Sequence, residues 1–195
     1  VEELEQKLVD LYKMGLDSTK LNAEGATPVL ADLAAIYAVA DKNELAAKVA
    51  QLHNEGTGVF FSGYIEADMK DSNNQILYLN QGGLGIGNRD YYTEASNAEI
   101  KAGYKAFLEK VFTLAGNENP AQAASNALAV EDAMALTSWT RTQMRDTEAQ
   151  YNPMSSDKVQ STYKGFDFKT YFETRGIPAQ DKIIISQLSY FEGLS

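Results

Sequence analysis

The residue best suited to catalysis in this sequence is its one histidine, His53. A catalytic zinc ion needs three protein ligands, typically two imidazoles one helical turn apart and a carboxylate, with one position left open for water. His53 stands in the segment Leu52-His53-Asn54-Glu55-Gly56, which is not H-E-x-x-H and supplies no second imidazole. We therefore predict no catalytic and no metal-ligating residue in this chain. The alternative for His53 is a structural histidine near a helix C-terminus, where the helix dipole favours it.

The sequence also lacks the motifs of a nucleophilic triad and of a phosphate-binding loop. A histidine-based triad would need His53 as its base, and no serine stands in a G-x-S-x-G turn. Glycines let backbone N–H groups approach an anion, so the run Gly82-Gly83-Leu84-Gly85-Ile86-Gly87 raises the possibility of a phosphate loop. That run lacks the Lys-Ser/Thr of a P-loop and the G-x-G-x-x-G spacing, so we interpret it as a structural turn.

Two further pairs of residues have the right types for chemistry but unfavourable placement. Glu131 and Asp132 are adjacent, and adjacent residues on a helix point in different directions, so they cannot act as a carboxylate pair. We expect Glu131 to be a partly buried, hydrogen-bonded structural acid. Tyr91 and Tyr92 are interpreted as core or interface residues rather than a ligand platform.

The composition excludes several classes of function. The chain has 195 residues, 44% of them hydrophobic, which is enough for one ordinary domain with a core. Its 17 basic and 27 acidic residues give a net charge of -10, which disfavours binding to nucleic acid or to an anionic membrane. It has no cysteine, so disulfides and thiolate ligands are excluded. No apolar run approaches the roughly 20 residues that span a bilayer.

Helical periodicity predicts three helices in the first quarter of the chain. The first begins at Val1 without a capping residue and ends at Gly15, so we expect the natural polypeptide to continue upstream. Thr27, followed by a proline, is predicted to cap the second helix, and Asp41 with Glu44 resembles a capping box for the third.

The middle and the end of the chain predict a hairpin and further helices. Residues 59–66 and 76–79 read as two strands, with a turn at residues 71–74. A capping box at Ser96 and Glu99 introduces a helix that ends at Gly116, and an alanine-rich helix follows from residue 121 to about residue 144. Residues 183–185 could form a strand or lead into a last helix. The fold class is therefore mainly α, with several helices and a small β-hairpin.

The segment from Asn80 to Tyr92 resembles the neprilysin and endothelin-converting-enzyme family of zinc metalloendopeptidases, whose N-terminal region carries D-Q-x-x-L-G-L-P-x-R-D-Y-Y. Seven positions coincide with that pattern, namely Gln81, Leu84, Gly85, Arg89, Asp90, Tyr91 and Tyr92. Asn80 stands where the family has aspartate, and Gly87 where it has proline. We expect the seven residues to be structural, with Arg89 and Asp90 organising the turn through a charge-assisted hydrogen bond.

Other parts of the chain keep the order and spacing of the same family. They are Leu11-Tyr12 with Gly25 and residues 28–30, then residues 52–56, 60–61 and 68–72, then Leu128 with Glu131 and residues 134–135, then residues 145–146 and 151–154. Gly15 falls where animal members often have a cysteine, so the resemblance is to a bacterial branch without those disulfides.

The resemblance implies a place within a two-domain enzyme. Family members join a zinc-bearing catalytic domain to a helical cap that encloses the active site in a cavity. Residues 1–195 correspond to most of that cap as one non-catalytic domain, so zinc is expected in the parent enzyme with its ligands outside this chain. The implied partners are the catalytic domain of the same polypeptide and oligopeptide substrates. Neither nucleic acid nor a membrane-spanning segment is implied.

Two alternatives remain open from the sequence. A periplasmic or secreted location is favoured for the parent enzyme, although a cytoplasmic one also fits. The chain could instead be a stand-alone helical interaction domain that has lost catalysis. An H-E-x-x-H motif downstream in the same reading frame would decide for the enzyme.

Overall fold

The computed structural model describes residues 2–195, so Val1, which the sequence assigns to the first helix, lies outside the described residues. The elements follow in the order α1 (Glu2–Leu16), α2 (Ser18–Glu24), α3 (Leu30–Tyr37), α4 (Lys42–Asn54), β1 (Phe61–Asp68), β2 (Asp71–Gln81), α5 (Asp90–Thr93), α6 (Ala98–Leu114), α7 (Pro120–Thr137), β3 (Pro153–Met154), α8 (Ser156–Thr162), α9 (Phe168–Arg175), β4 (Ile183–Ile185) and α10 (Leu188–Leu194). The predicted mainly helical fold class is confirmed. Over the described residues, no helix is both long and apolar enough to cross a membrane.

The first helix does not end where the sequence predicted. α1 continues through Gly15 to Leu16, and α2, which the sequence analysis missed, begins two residues later. The break falls at Asp17, whose side chain accepts a hydrogen bond from the Lys20 N–H at 3.0 Å and so caps α2. Gly25, with a φ of 53°, ends α2. The cap that sets this boundary is therefore an aspartate, not the glycine.

The predicted caps of the next two helices differ in outcome. Thr27 makes no side-chain cap, because a short 3-10 turn (Thr27–Val29) precedes α3. Asp41 does cap α4, accepting from the Glu44 N–H at 2.8 Å. The Glu44 carboxylate reaches back to the N–H of Ala40, also at 2.8 Å, so the capping box is closed one residue further out than predicted.

The predicted hairpin forms, but it belongs to a four-stranded sheet in the order β1-β2-β4-β3. Its turn lies at residues 69–70, not 71–74, and residues 72–74 form a bulge where the register shifts beside Ala67 and Asp68. β2 pairs in parallel with β4, residues 77–79 opposite residues 183–185, and β3 covers the far edge of β4. Residues 183–185 are thus a strand that also leads into α10, so both predicted alternatives apply.

The sheet has apolar side chains on both faces, as a parallel pair requires. Leu77, Leu79, Ile183 and Ile185 lie in the main core, while the alternating residues Ile76, Tyr78 and Ile184 form a second cluster with Tyr151. The main core is aromatic and is centred on Phe61, which is 1% exposed. Its ring lies 5.0–5.7 Å from those of Phe166, Phe168, Tyr171 and Phe191. Strand β1 and helices α9 and α10 are held together by these contacts.

Helices α6 and α7 form as predicted, with different ends. The Ser96 and Glu99 capping box is absent, since Asn97 stands at the start of α6 without a side-chain cap. α7 stops at Thr137 instead of near residue 144. It stops there because Ser138 adopts an extended conformation and the Trp139 N–H donates to the side-chain oxygen of Gln81 at 2.7 Å. A contact with a residue 58 positions away ends this helix, and local sequence could not show it.

An ion pair with one buried partner ties the hairpin to the strand beside it. Asp68 is 2% exposed and pairs with the ammonium group of Lys182, just before β4. The Tyr151 hydroxyl donates to the same carboxylate at 2.7 Å and the Lys70 N–H at 2.9 Å. The hydrogen bond from Lys182, aided by that from Lys70, lowers the pKa of Asp68 to about 2.

We predict that Asp68→Asn lowers the melting temperature of the chain at pH 7 and weakens its acid dependence. A carboxylate whose pKa is depressed by folding adds stability above its unfolded pKa of about 3.9 and loses it as the pH falls towards 2. Thermal unfolding followed by circular dichroism between pH 7 and pH 2 measures both effects. Asp181→Asn is the matched control, because Asp181 is exposed. An Asp68→Asn variant with the full acid dependence of the parent would contradict the assignment.

Candidate functional site

The motif that the sequence singled out lies in the turn between β2 and α5, and Gln81 anchors its beginning. The Gln81 side chain makes two hydrogen bonds with the backbone of Trp139, donating to its carbonyl at 3.2 Å and accepting from its N–H at 2.7 Å. The Gln81 N–H donates to the side chain of fully buried Gln187 at 2.8 Å. The last residue of the central strand is thereby fixed to the end of α7 and the start of α10.

The glycines let the turn pass close to the backbone of another loop. Gly83 has a φ of 75°, and a Cβ atom there would lie 2.6 Å from the Phe60 nitrogen and 2.7 Å from the Met134 methyl group. Phe60 is itself in the left-handed region, with a φ of 58°. The single O–H of Tyr190 is shared between the carbonyls of Phe60 and of Gly82. A side chain at position 83 would force these two loops apart.

A single carboxylate accepts hydrogen bonds from the middle of the turn, from helix α5 after it and from α6. Glu131, on α7, accepts hydrogen bonds from the Tyr92 hydroxyl, from the Tyr104 hydroxyl at 2.8 Å and from the Gly85 N–H at 3.1 Å. We call Gly85, Tyr92, Tyr104 and Glu131 the Glu131 cluster. The prediction that Glu131 is a partly buried, hydrogen-bonded acid is confirmed.

The two tyrosine hydroxyls of the Glu131 cluster stay protonated near neutral pH. Burial, reinforced by the hydrogen bond to Glu131, raises the pKa of Tyr104 to about 12 and raises that of Tyr92 as well. Both phenols are therefore neutral donors. Lys101 joins the same region by pairing with Asp132 at 2.5 Å. The ion pair and the hydrogen bonds to Glu131 together join α6 to α7.

The turn is not a phosphate loop. The N–H groups that an anion would need already have partners, since Gly85 donates to Glu131 and Ile86 to the Tyr92 hydroxyl at 3.1 Å. A Cβ atom at Gly85 would lie 2.0 Å from the Tyr104 oxygen, so the absence of a side chain lets Tyr104 reach the carboxylate. The interpretation of the glycine run as a structural turn is confirmed by these contacts.

The other motif residues surround the cluster, but Arg89 and Asp90 do not pair. Leu84 and Tyr91 pack against the small core that contains Tyr92. Across residues 2–195, the side chains of Arg89 and Asp90 form no ion pair or hydrogen bond, and the buried Nε atom of Arg89 has no partner. The prediction of a charge-assisted hydrogen bond from Arg89 and Asp90 is therefore wrong. The Asn88 side chain instead caps the turn by accepting from the Asp90 N–H at 2.9 Å.

His53 is held in place through both of its ring nitrogens. Its Nδ1 atom lies 2.8 Å from the Tyr171 hydroxyl and its Nε2 atom 2.9 Å from the Val59 carbonyl. Burial lowers the pKa of His53 below its usual value, so the ring is neutral near pH 7. Its position in the last turn of α4 is as predicted. Hydrogen bonds and burial, rather than attraction of a charged ring to the helix dipole, account for that position.

The described part of the chain brings together no metal-binding set. Between residues 2 and 195, no three side chains of histidine, cysteine, aspartate or glutamate come close enough to hold a metal ion. A hollow of about 150 Å³ beside His53 and Arg175 contains the one imidazole and one guanidinium. A hydrolytic zinc ion does not fit these residues.

Sequence reasoning found Glu131 but missed the residues that complete its surroundings. The residues that complete the surroundings of the turn, and that no local pattern places there, are Tyr104, Gln187, Trp139 and Tyr190. Tyrosine at a core position, whose hydroxyl needs a partner, was the one available signal. The other contacts join residues 50 or more positions apart and leave no local pattern.

The chain is similar to known proteins over its whole length. The family model described as Peptidase family M13 matches residues 1–195. Endothelin-converting enzyme 1 of Cavia porcellus is 25% identical over 210 residues, covering 100% of this chain and 28% of that protein. The enzyme of the same name from Homo sapiens is 24% identical over 210 residues, again covering 100% of this chain and 27% of the relative.

The fold of this chain is also similar to that of solved peptidase structures. The zinc metalloprotease ZMP1 of Mycobacterium tuberculosis, in complex with an inhibitor, superposes with a TM-score of 0.87 at 28% identity, covering 94% of this chain and 29% of that one. PepO from Lactobacillus rhamnosis HN001 has a TM-score of 0.75 at 17% identity, covering 92% of this chain and 29% of that one, which shows the fold alone. The chain thus spans less than a third of the length of the relatives it matches.

We predict that Glu131→Gln destabilises the chain by roughly 1–3 kcal/mol, because three donors share a carboxylate that an amide replaces with one acceptor oxygen and one competing donor. Chemical denaturation measures this loss. Glu118→Gln, at an exposed glutamate, is the control and should leave the free energy of unfolding within about 0.5 kcal/mol of the parent.

A second measurement separates loss of the cluster from general loosening. Titration of the tyrosine absorbance should show the Tyr104 pKa moving down from about 12 in Glu131→Gln, because the hydrogen bond and charge of Glu131 help to raise it. Unchanged stability together with an unchanged tyrosine titration would show that the carboxylate does not organise the turn.

Proposed function

The chain belongs to peptidase family M13, and on that premise we propose that it forms the N-terminal, non-catalytic segment of a zinc-dependent metalloendopeptidase that hydrolyses oligopeptides. The observation that carries this proposal is the match over residues 1–195 to the family model, with the same chain path in a zinc metalloprotease. In this proposal, residues 1–195 act as one domain, and the catalytic domain of the same polypeptide is its first partner.

The zinc ion and its ligands belong to that catalytic domain. Residues 2–195 supply no metal-binding set, and the ring nitrogens of His53 are both engaged. The seven motif residues, from Gln81 to Tyr92, hold the turn in place rather than contact the reacting atoms. The contacts of Gln81 and Tyr92 with α7 and α10 support this assignment.

The role of the segment is to cover the active-site chamber and limit the size of the substrate. A cover of this kind must keep its shape, and the ion pair of Asp68 and the Glu131 cluster provide rigid links between distant parts of the chain. A closed, water-limited chamber admits peptides and excludes folded proteins.

The test uses the longer polypeptide that contains residues 1–195. We expect it to cleave short peptides, to lose activity when a chelator removes zinc, and to show kcat/KM falling at least tenfold between short peptides and a folded protein with the same cleavage sequence. Unfolding that protein to an extended chain of equal length separates exclusion by shape from preference by sequence.

The 195-residue chain provides the control for the metal. Calorimetric titration with zinc should give no stoichiometric site. A tight site in this chain would contradict the assignment of the metal to the catalytic domain, and equal cleavage of folded proteins and short peptides would contradict the size limit. A longer polypeptide without peptidase activity would favour a non-catalytic interaction domain.

A further inference from the structure

Helix α6 carries an apolar stripe that the described residues leave largely exposed. Ile100, Phe107, Val111 and Leu114 are 49%, 59%, 43% and 68% exposed. At about 100° per residue, their side chains lie within a sector of about 60° and form a row about 21 Å long. Spacings of seven, four and three residues are those of a seam between packed helices. We call these four residues the α6 stripe.

The α6 stripe lies beside the face that α6 already uses, and the ring of Phe107 stacks on that of Tyr104. Tyr104 reaches Glu131 and Lys101 pairs with Asp132, so that side of the helix packs on α7. Glu109 lies on the side opposite the stripe, and its side chain is exposed. The helix therefore has one face packed on α7, one polar face, and between them an apolar stripe that is largely exposed among residues 2–195.

Gly103 lies at the edge of this stripe, one turn before Phe107, and has no local explanation. Glycine in a helix interior is destabilising relative to alanine. A Cβ atom built at Gly103 meets nothing within 4 Å, and its φ is not in the left-handed region, so no contact in the described chain requires glycine. Glycine does permit the close approach of another backbone. A second helix lying along the stripe explains both the missing side chain and the exposed ones.

Helix α1 shows that the uncovered surface is not confined to α6. Leu4, Leu8, Leu11 and Tyr12 recur at helical spacing and are 65%, 59%, 66% and 70% exposed. All residues from 3 to 16 are exposed. An isolated helix of this length is marginal in water, so an amphipathic one needs a packing partner. Contiguous apolar surface on this scale marks an interaction surface.

We propose that the α6 stripe is the docking surface for an apolar helix of the further polypeptide that M13 relatives carry. This inference rests on the proposed function, in which residues 1–195 are one segment of such a polypeptide. The matched relatives are more than three times as long as this chain, so the covering helix has ample chain to come from. The stripe bears no charge, which selects an apolar helix face as its partner.

A second copy of this chain fits the stripe less well than a helix of the same polypeptide. Each copy carries a net charge of -10, so two copies repel one another. A helix on the same polypeptide is held at high effective concentration and needs no intermolecular association.

The chain has no cysteine, which allows a direct test by thiol labelling. Phe107→Cys places a thiol in the stripe, and Glu109→Cys places one on the opposite side of α6 as the matched control. Each is made in the 195-residue chain and in the longer polypeptide, and maleimide modification of the α6 peptide is followed by mass spectrometry. We expect the two thiols to react alike in the 195-residue chain. In the longer polypeptide, the thiol at position 107 should react at least tenfold more slowly, with that at position 109 unchanged.

Gly103 gives a second readout. Gly103→Ala should raise the melting temperature of the 195-residue chain, because it adds helix propensity without a clash. In the longer polypeptide, Gly103→Leu should speed the labelling of Phe107→Cys by displacing the covering helix. Gly103→Leu without effect on that labelling would overturn the close approach at this position.

The remaining outcomes separate this inference from the proposed function. Equal reactivity at positions 107 and 109 in the longer polypeptide overturns the docking helix, even if peptide cleavage is intact. Protection of position 107 that appears in the 195-residue chain and grows with concentration, together with a dimer mass by ultracentrifugation, overturns it in favour of a second copy. Protection in a longer polypeptide without peptidase activity supports the docking helix and contradicts the proposed function.

Discussion

The parallel pairing of β2 with β4 is the contact on which the rest of the structure depends. It joins residues 77–79 to residues 183–185, more than a hundred positions later, and both strands are buried on both faces. A parallel pair needs a long connection, and here that connection contains helices α5 to α9. The helices are therefore arranged around the strands, with α9 and α10 packing their aromatic side chains against Phe61 on the neighbouring strand.

The position of the glycine-rich turn follows from that pairing. β2 ends at Gln81, and buried Gln187, two residues beyond β4, accepts from its N–H. After β2 the chain passes so close to neighbouring atoms at Gly83 and Gly85 that a side chain there would clash. Beyond these glycines, Glu131 accepts hydrogen bonds from the hydroxyl groups of Tyr92 and Tyr104. In this motif, whose composition resembles that of a ligand-binding loop, the N–H groups of Gly85 and Ile86 thus donate to other protein groups. The same glycines that would admit a phosphate here admit other parts of the protein.

The helices differ in whether their apolar side chains are buried in the main core. From α4 onward, the sheet and helices α8 to α10 enclose a dense aromatic core. α1, α2 and α3 contribute none of its buried residues, and α6 contributes none either, although its apolar periodicity is among the clearest in the sequence. The exposed apolar side chains of α6 form the surface for which we propose a covering helix. This is consistent with a chain that spans less than a third of its M13 relatives.

What the sequence determined by itself was the class of each strongly periodic segment, the cap of α4 at Asp41, the structural character of Glu131 and the lack of a second imidazole beside His53. These depend on spacing and composition within a few residues, which fix local hydrogen bonds and helix faces. The tertiary structure alone decided that the hairpin joins a four-stranded sheet and that α7 stops at Thr137. It also decided that the Asp90 N–H donates to the Asn88 side chain and that Arg89 and Asp90 do not pair. Each of these outcomes depends on donors, acceptors and apolar surfaces that meet only after folding, because the free energy of a long-range contact depends on what is buried around it.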